Sequence, residues 1–303
     1  MNRIWTEQGP RRALITGASS GIGEAFARLL AAEGGWQLAL VARNEEQLFR
    51  LAGVLRAQHL TVSHVLPLDL AEGDAPARLM AMLAEKDFAP DVLINNAGIG
   101  LAGAAATLPL EAQMRIIDVN VRAASELALR CLPGMRARGR GGIINVSSLS
   151  AFMPGPGMAV YFASKAYLLS FSEALAEEVR RDGLTVTALC PGPVRTRFQE
   201  RAGMERLWLA RLMMRARPEQ VARAGWQAFK EGRVVVVPGF FNALMSVAVK
   251  MTPRALIRSS THALLKAGGG RRRGGRDDAG GGDGGGAAPG GGGAPPAGRE
   301  GGA

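Results

Sequence analysis

The chain has 303 residues, of which 47% are hydrophobic, enough for one domain core of about 250 residues. Its formal net charge of +11 is spread along the chain mostly as arginine, which favours anions in general without naming one. Two cysteines exclude a disulfide framework, and His59, His64 and His262, scattered with Cys131 and Cys190, make no ligand cluster at zinc spacing, so no metal is expected.

Met1 to Pro10 lacks the apolar stretch of a secretory signal, and a cytoplasmic location is the expectation. The run Ala13-Leu-Ile-Thr-Gly17-Ala-Ser-Ser-Gly21-Ile-Gly23 then reads as strand and turn, followed from Glu24 by helical periodicity. Glycine permits a tight turn and close backbone approach, and the N–H groups opening a helix bind a pyrophosphate. Any strand-to-helix turn can use glycine, so the trio matters only in this context. The next strand, Gln37 to Val41, ends in Ala42-Arg43-Asn44, where an acidic residue would serve a ribose hydroxyl. Arginine there suits a ribose 2′-phosphate, which its planar fork can bind through paired hydrogen bonds, so NADP(H) is favoured and NAD(H) stays open. The plain alternative is that Arg43 begins the next helix in water.

Further apolar runs fall at Val62–Leu66, Val92–Asn95, Ile143–Val146, Val186–Cys190 and Val234–Val237. With Ala13–Thr16 and Leu38–Val41 they predict seven strands alternating with helices. Fully apolar strands suit a parallel sheet covered on both faces, so the fold class is α/β, a Rossmann-like, doubly wound, mostly parallel seven-stranded sheet. Leu108 to Arg138 and Ala159 to Arg181 are the two long central helices. The second carries Tyr161-Phe-Ala-Ser-Lys165, in which Tyr161 and Lys165 share a face, an ammonium beside a phenol. A phenol of ordinary pKa about 10 is a poor acid–base at neutral pH, and a neighbouring cation lowers that value. Taken alone, such a pair is equally a feature of a solvated helix face.

These residues together resemble the short-chain dehydrogenase/reductase family in its compact form. The resemblance runs from Ala13 to Val237 through Thr16-Gly17-Ala-Ser-Ser-Gly21-Ile-Gly23, Asp69-Leu70, Asn95-Asn96-Ala97-Gly98, Asn120, Ser147-Ser148, Tyr161-Phe-Ala-Ser-Lys165 and Pro191-Gly-Pro-Val-Arg-Thr196. It implies an oxidoreductase moving a hydride between nicotinamide and a carbonyl or alcohol. Tyr161 is then the acid–base. Lys165 lowers its pKa and holds the nicotinamide ribose, Ser148 bonds the substrate oxygen, and Asn120 holds a water linking Lys165 to solvent. The implied cofactor contacts are Gly17, Ser19, Ser20, Gly21, Ile22, Gly23, Arg43, Asp69, Leu70, Asn96, Ala97, Gly98, Pro191, Gly192, Val194 and Thr196, with Tyr161 and Lys165. Asp69 meets the adenine edge, and Pro191, Gly192 and Thr196 border the nicotinamide. The family also implies a homodimer or homotetramer through the two long helices, whose apolar positions read equally as core.

Between Arg197 and Arg217 the chain is Met-rich and basic, where the family places a substrate lid. An apolar substrate fits such side chains, although a stripe of this kind is more often packing. Pro218 starts another helix. The expected domains are a catalytic unit over 1–240, a helical extension over 241–267 and a Gly-rich tail over 268–303. The family resemblance extends to a bacterial branch carrying such an extension. Lys250, Pro253, Arg254 and Arg258 interrupt it too often for one membrane span. Packing within the protein ranks above contact with an anionic membrane, and a peripheral membrane reductase of lipid-type carbonyls is the alternative. The tail cannot bury apolar surface, and with Asp277, Asp278 and Asp283 close behind Arg271 to Arg276 and no aromatic residue, no nucleic-acid partner is expected. A dinucleotide-sensing protein without turnover is the other alternative, opposed by the intact Asn120, Ser148, Tyr161 and Lys165.

Overall fold

The computed structural model describes residues 11–195, 216–253 and 255–259. Thr196, the 197–215 part of the Met-rich segment, His262, Lys266 and the Gly-rich tail lie outside the described residues. Seven strands form one sheet: β1 (Arg11–Thr16), β2 (Trp36–Ala42), β3 (Val62–Pro67), β4 (Val92–Asn95), β5 (Gly142–Val146), β6 (Thr185–Leu189) and β7 (Val235–Val236). Their order is β3-β2-β1-β4-β5-β6-β7, and every pairing is parallel, as the apolar runs predict. Strand β1 starts two residues before the expected Ala13. Arg11 pairs with Trp36, lays its guanidinium 4.7 Å from that ring's centroid and donates to the Gly34 carbonyl at 2.8 Å, so a charged residue is accommodated at a strand end.

Adjacent residues of each strand point to opposite faces, and the core divides accordingly. Ile15, Leu38, Leu40, Ile94 and Ile144 pack beneath helices α1 (Gly21–Glu33) and α2 (Glu45–His59), with Trp226 and Phe229 of a later helix. Their neighbours Leu14, Ala39, Leu93 and Ile143 face the other way, against α3 (Ala75–Glu85) and the helices that follow β4 and β5. Strands β5 and β6 are buried at every position, which requires both faces to be covered.

The expected single helix over 108–138 is interrupted. It consists of α4 (Leu110–Ile117), a π-helical turn over Asp118–Ala123 and α5 (Ala124–Arg138). Such turns are often found at functional sites, and this one contains Asn120. Helix α6 (Ala159–Val179) carries Tyr161, Ser164 and Lys165. Helix α7 (Pro218–Lys230) opens on Pro218 as expected, and α8 (Phe240–Met251) follows β7. The sheet order reverses between β1 and β4, so the crevice of this doubly wound sheet opens at their carboxyl ends.

Candidate active site

A cavity of about 680 Å³ occupies that crevice. One wall is the turn between β1 and α1. Gly17 has φ +65°, a left-handed conformation that glycine adopts without strain, and a Cβ on it would lie 2.7 Å from Asn96 Nδ2. The turn is held from β4: Asn96 Nδ2 donates to the carbonyls of Thr16 (3.0 Å) and Gly17 (3.1 Å), and the N–H groups of Asn96 and Ala97 both donate to Thr16 Oγ1 at 3.0 Å. Gly23 is buried under the turn, where a Cβ would collide with the Gly17 carbonyl and Asn96. It therefore lets α1 pack close beneath the turn that lines the cavity. Ser20 precedes α1 without capping it through its side chain, and the helix opens at the cavity wall.

At the far end of the cavity stand Arg43, just past β2, and Asp69, just past β3. The Asp69 carboxylate accepts from Arg115 of α4 at 2.8 Å and from the Ala71 N–H at 3.0 Å, while Arg43 Nη1 is 3.9 Å away. Partial burial alone would raise the Asp69 pKa. The Arg115 hydrogen bond, the Ala71 N–H and the two guanidiniums outweigh it and hold the carboxyl below its ordinary value. Arg115 also lines the cavity and was not expected there. No local pattern marks it, because the pairing joins positions far apart in the chain.

The other end is more buried. Ser148 follows β5 in extended conformation and accepts from the Ser150 N–H at 3.1 Å, and the Leu149 N–H donates to the Pro191 carbonyl at 2.8 Å. This ties the turn after β5 to the one after β6, beside the phenol of Tyr161, which has the Ser148 and Ser150 side chains next to it. Lys165, only 4% exposed, donates from Nζ to the Val146 carbonyl at 2.9 Å and lies 5.9 Å from the Tyr161 ring centroid. Asn120 is fully buried on the π-helical turn. Its Oδ1 accepts from the Ile99 N–H (2.9 Å), and its Nδ2 donates to the Ile99 carbonyl (2.9 Å) and Ser164 Oγ (3.0 Å). A Cβ at Gly98 would sit 3.2 Å from Lys165 Nζ and 3.4 Å from Asn120 Oδ1, so both polar atoms come close behind the loop after β4. Asn95 does not face the cavity. It donates to the Ala124 carbonyl and to Asn145, which donates to Ser172, a polar chain linking the sheet to α5 and α6.

In this pocket, burial sets the direction of both the Tyr161 and the Lys165 pKa shifts. Burial raises the phenol pKa, and the neighbouring Ser148 and Ser150 side chains offset this only in part. The same burial lowers the Lys165 pKa to about 8. The lysine is turned to the Val146 carbonyl, and both groups are pushed toward their neutral forms by loss of water.

Gly17, Ser19, Ser20, Gly21, Ile22, Arg43, Asp69, Leu70, Asn96, Ala97, Gly98, Ser148, Tyr161, Lys165, Pro191, Gly192 and Val194 thus line a single cavity. Asn120 stands behind its wall. Val194 pairs with Ala216, which brings the described ends flanking the Met-rich segment together at the cavity edge. A dinucleotide fits these residues: backbone and an open helix end at the turn, guanidiniums beyond it, and hydroxyls at the opposite end.

The sequence over residues 11–206 matches the short chain dehydrogenase family. The chain is 36% identical over 187 residues to a dehydrogenase/reductase SDR family protein 7-like of Anopheles gambiae, a match covering 60% of this chain and 59% of that one. It is 38% identical over 181 residues to the very-long-chain 3-oxoacyl-CoA reductase of Laccaria bicolor, covering 58% and 53%. The chain thus spans less than two thirds of the length of both relatives. A short-chain dehydrogenase from Sphingobium yanoikuyae, solved in complex with NADPH, superposes with a TM-score of 0.71 at 29% identity, covering 88% of this chain and 99% of that one.

Proposed function

The chain belongs to the short chain dehydrogenase family, and we propose that it is an NADP(H)-dependent oxidoreductase working as a carbonyl reductase. The observation that carries this reading is that Ser148, Tyr161 and Lys165 converge at one end of a cavity whose other end presents Arg43 and Arg115. A nicotinamide dinucleotide, when bound, supplies the hydride to a carbonyl carbon.

The chain's own residues manage the proton and the charge. Tyr161 is the general acid: a phenol kept neutral by burial has its proton to give to the oxygen that gains negative charge. Ser148 donates to that same oxygen and stabilises it as the charge develops. Lys165 is the cation that answers the phenolate once Tyr161 has given up its proton, and with a pKa near 8 it can return one. Asn120 clamps the Ile99 backbone and the back of the Lys165 pocket. In the reverse direction Tyr161 takes the alcohol proton.

The cofactor preference rests on Arg43. Its side chain is 54% exposed at the cavity rim, and Asp69 is held mainly by Arg115 at 2.8 Å, which leaves the Arg43 fork to a 2′-phosphate. Cells keep the phosphorylated dinucleotide reduced, which makes carbonyl reduction the working direction. A homodimer through the long helices is part of the same reading, supported by exposed apolar side chains on them, among them Leu110, Met114, Leu129 and Tyr167.

A screen of aldehydes and ketones with NADPH and NADH tests the proposal. Arg43→Ala should lower kcat/KM with NADPH about 10–100-fold and leave NADH within about threefold. Equal losses would remove the cofactor claim, and no oxidation of either dinucleotide on any substrate would remove the activity claim.

A further inference from the structure

Helix α8 is amphipathic with the usual sides exchanged. Phe240 and Phe241 are 77% and 78% exposed, and Leu244, Met245, Val247 and Met251 are exposed with them. The protein-facing side carries the polar groups: Asn242 donates to the Pro238 carbonyl at 2.8 Å, and the buried Ser246 donates to the Ala243 carbonyl at 2.7 Å. Positions 240, 244, 247 and 251 follow helical spacing and make one stripe. An apolar stripe of this length turned to solvent marks an interaction surface.

We propose that this stripe docks on an anionic lipid surface. Charge selects that occupant. From Gly232 to Arg276 the sequence contains no aspartate or glutamate, while Lys250, Arg254, Arg258 and Lys266 come after the stripe in the sequence. An apolar helix face trailed by cations and free of carboxylates has the composition of a segment that lies in a bilayer interface, its aromatic side chains among the acyl chains and its cations at the anionic headgroups. A second copy of the chain is a poorer partner. A two-fold interface with this segment at its axis would set it against itself, and it offers no carboxylate to answer its own cations. Among the described residues no helix is long and apolar enough to cross a membrane, so the contact lies on the surface rather than through it.

The docking face is joined to the cavity. Met245 lines the cavity wall. Asn242 packs so close to Gly192, in the turn after β6, that a Cβ there would lie 2.7 Å from its Oδ1. Docking through α8 therefore sets the hydroxyl end of the cavity beside the lipid.

Co-sedimentation of the full chain with vesicles tests this independently of any activity. Vesicles of phosphatidylcholine alone are compared with vesicles containing about 30 mol% phosphatidylglycerol, at low salt and at about 0.5 M salt. The expected result is at least about tenfold stronger partitioning to the anionic vesicles, weakened by salt. The triple variant F240S/F241S/V247S should lose about tenfold in partitioning with an unchanged melting temperature, because its side chains touch solvent in the free protein. Protein left in the supernatant with every vesicle overturns the proposal, as does equal binding to neutral vesicles or a triple variant that binds like the parent. A triple variant that melts several degrees lower, or turns a dimer into a monomer in sedimentation velocity, also overturns it by showing that protein covers the face.

Discussion

The two ends of the cavity hold charge in opposite ways. At the turn-and-arginine end, Arg43, Asp69 and Arg115 are partly exposed and pair across distances of 2.8 and 3.9 Å, so water screens them and their pairing can be exchanged for a ligand's. At the hydroxyl end Lys165 and Asn120 are buried, and lost hydration moves the Tyr161 and Lys165 pKa values in opposite directions. Recognition at the first end is therefore adjustable at little cost in stability. The chemistry proposed for the second end is built from groups that the folded state accommodates unfavourably.

The largest expected effect separates the two ends outright. Tyr161→Phe removes only a hydroxyl at the hydroxyl end, and kcat/KM for reduction should fall by about 10²–10⁴, with NADPH affinity, read by fluorescence titration, changed less than about threefold. A variant retaining more than a tenth of the parent activity would take Tyr161 out of its proposed role. The pH profile should report the same end. Lys165, lowered to about 8, loses its proton as pH rises through that value, so kcat/KM for reduction should decline above about pH 8, approaching tenfold per unit. A profile flat from pH 7 to 10 would show that the lysine charge is not used.

Lys165→Met sharpens the contrast in stability. The folded-state pKa of about 8 lies below the ordinary 10.5, so the folded state resists the charge that the unfolded chain accepts. At pH 7 both states are protonated and the full cost, roughly 3 kcal/mol, falls on the folded state. Between about 8 and 10.5 only the folded state gives up its proton, and the cost fades as pH rises. The variant loses the hydrogen bond to Val146, which offsets about 1–2 kcal/mol. It should therefore be inactive yet more stable at pH 7 by about 1–2 kcal/mol, with the gain gone by about pH 10 in thermal melts. Equal stability at both pH values would contradict the burial of a charged amine.

How far the sequence foretold each end follows from the range of the forces involved. The strand runs such as Val92–Asn95 and Ile143–Val146 were legible because burial on both faces leaves an unbroken apolar pattern. The glycine turn was legible because Gly17 meets a local backbone demand. Tyr161 and Lys165 were legible as a pair on one helix face, but the direction of the Tyr161 shift was not, since it depends on how much water the surrounding fold removes. The π-helical turn at Asn120 leaves no periodicity to read across so short a span. The exposed face of α8 is not legible, because apolar composition alone does not say which side of a helix meets the protein.

Arg115 is the least legible residue of the cavity and gives the smallest expected effect. It is the stronger partner of Asp69, at 2.8 Å against 3.9 Å for Arg43. Replacing it with alanine leaves Asp69 to Arg43 alone, so the Arg43 fork turns from a 2′-phosphate toward the carboxylate, while the carboxyl pKa rises back toward its ordinary value. NADPH should then bind about three- to tenfold more weakly, and NADH, which has no phosphate to lose, should change less than about twofold. Because the pair is partly exposed, stability should move by less than about 1 kcal/mol. Adding Asp69→Asn to the variant removes the competing carboxylate and should restore part of the NADPH affinity in titrations. If both dinucleotides weaken together and Asp69→Asn restores neither, then Arg115 acts on the shared part of the ligand, and competition for Arg43 is not how the exposed end makes its choice.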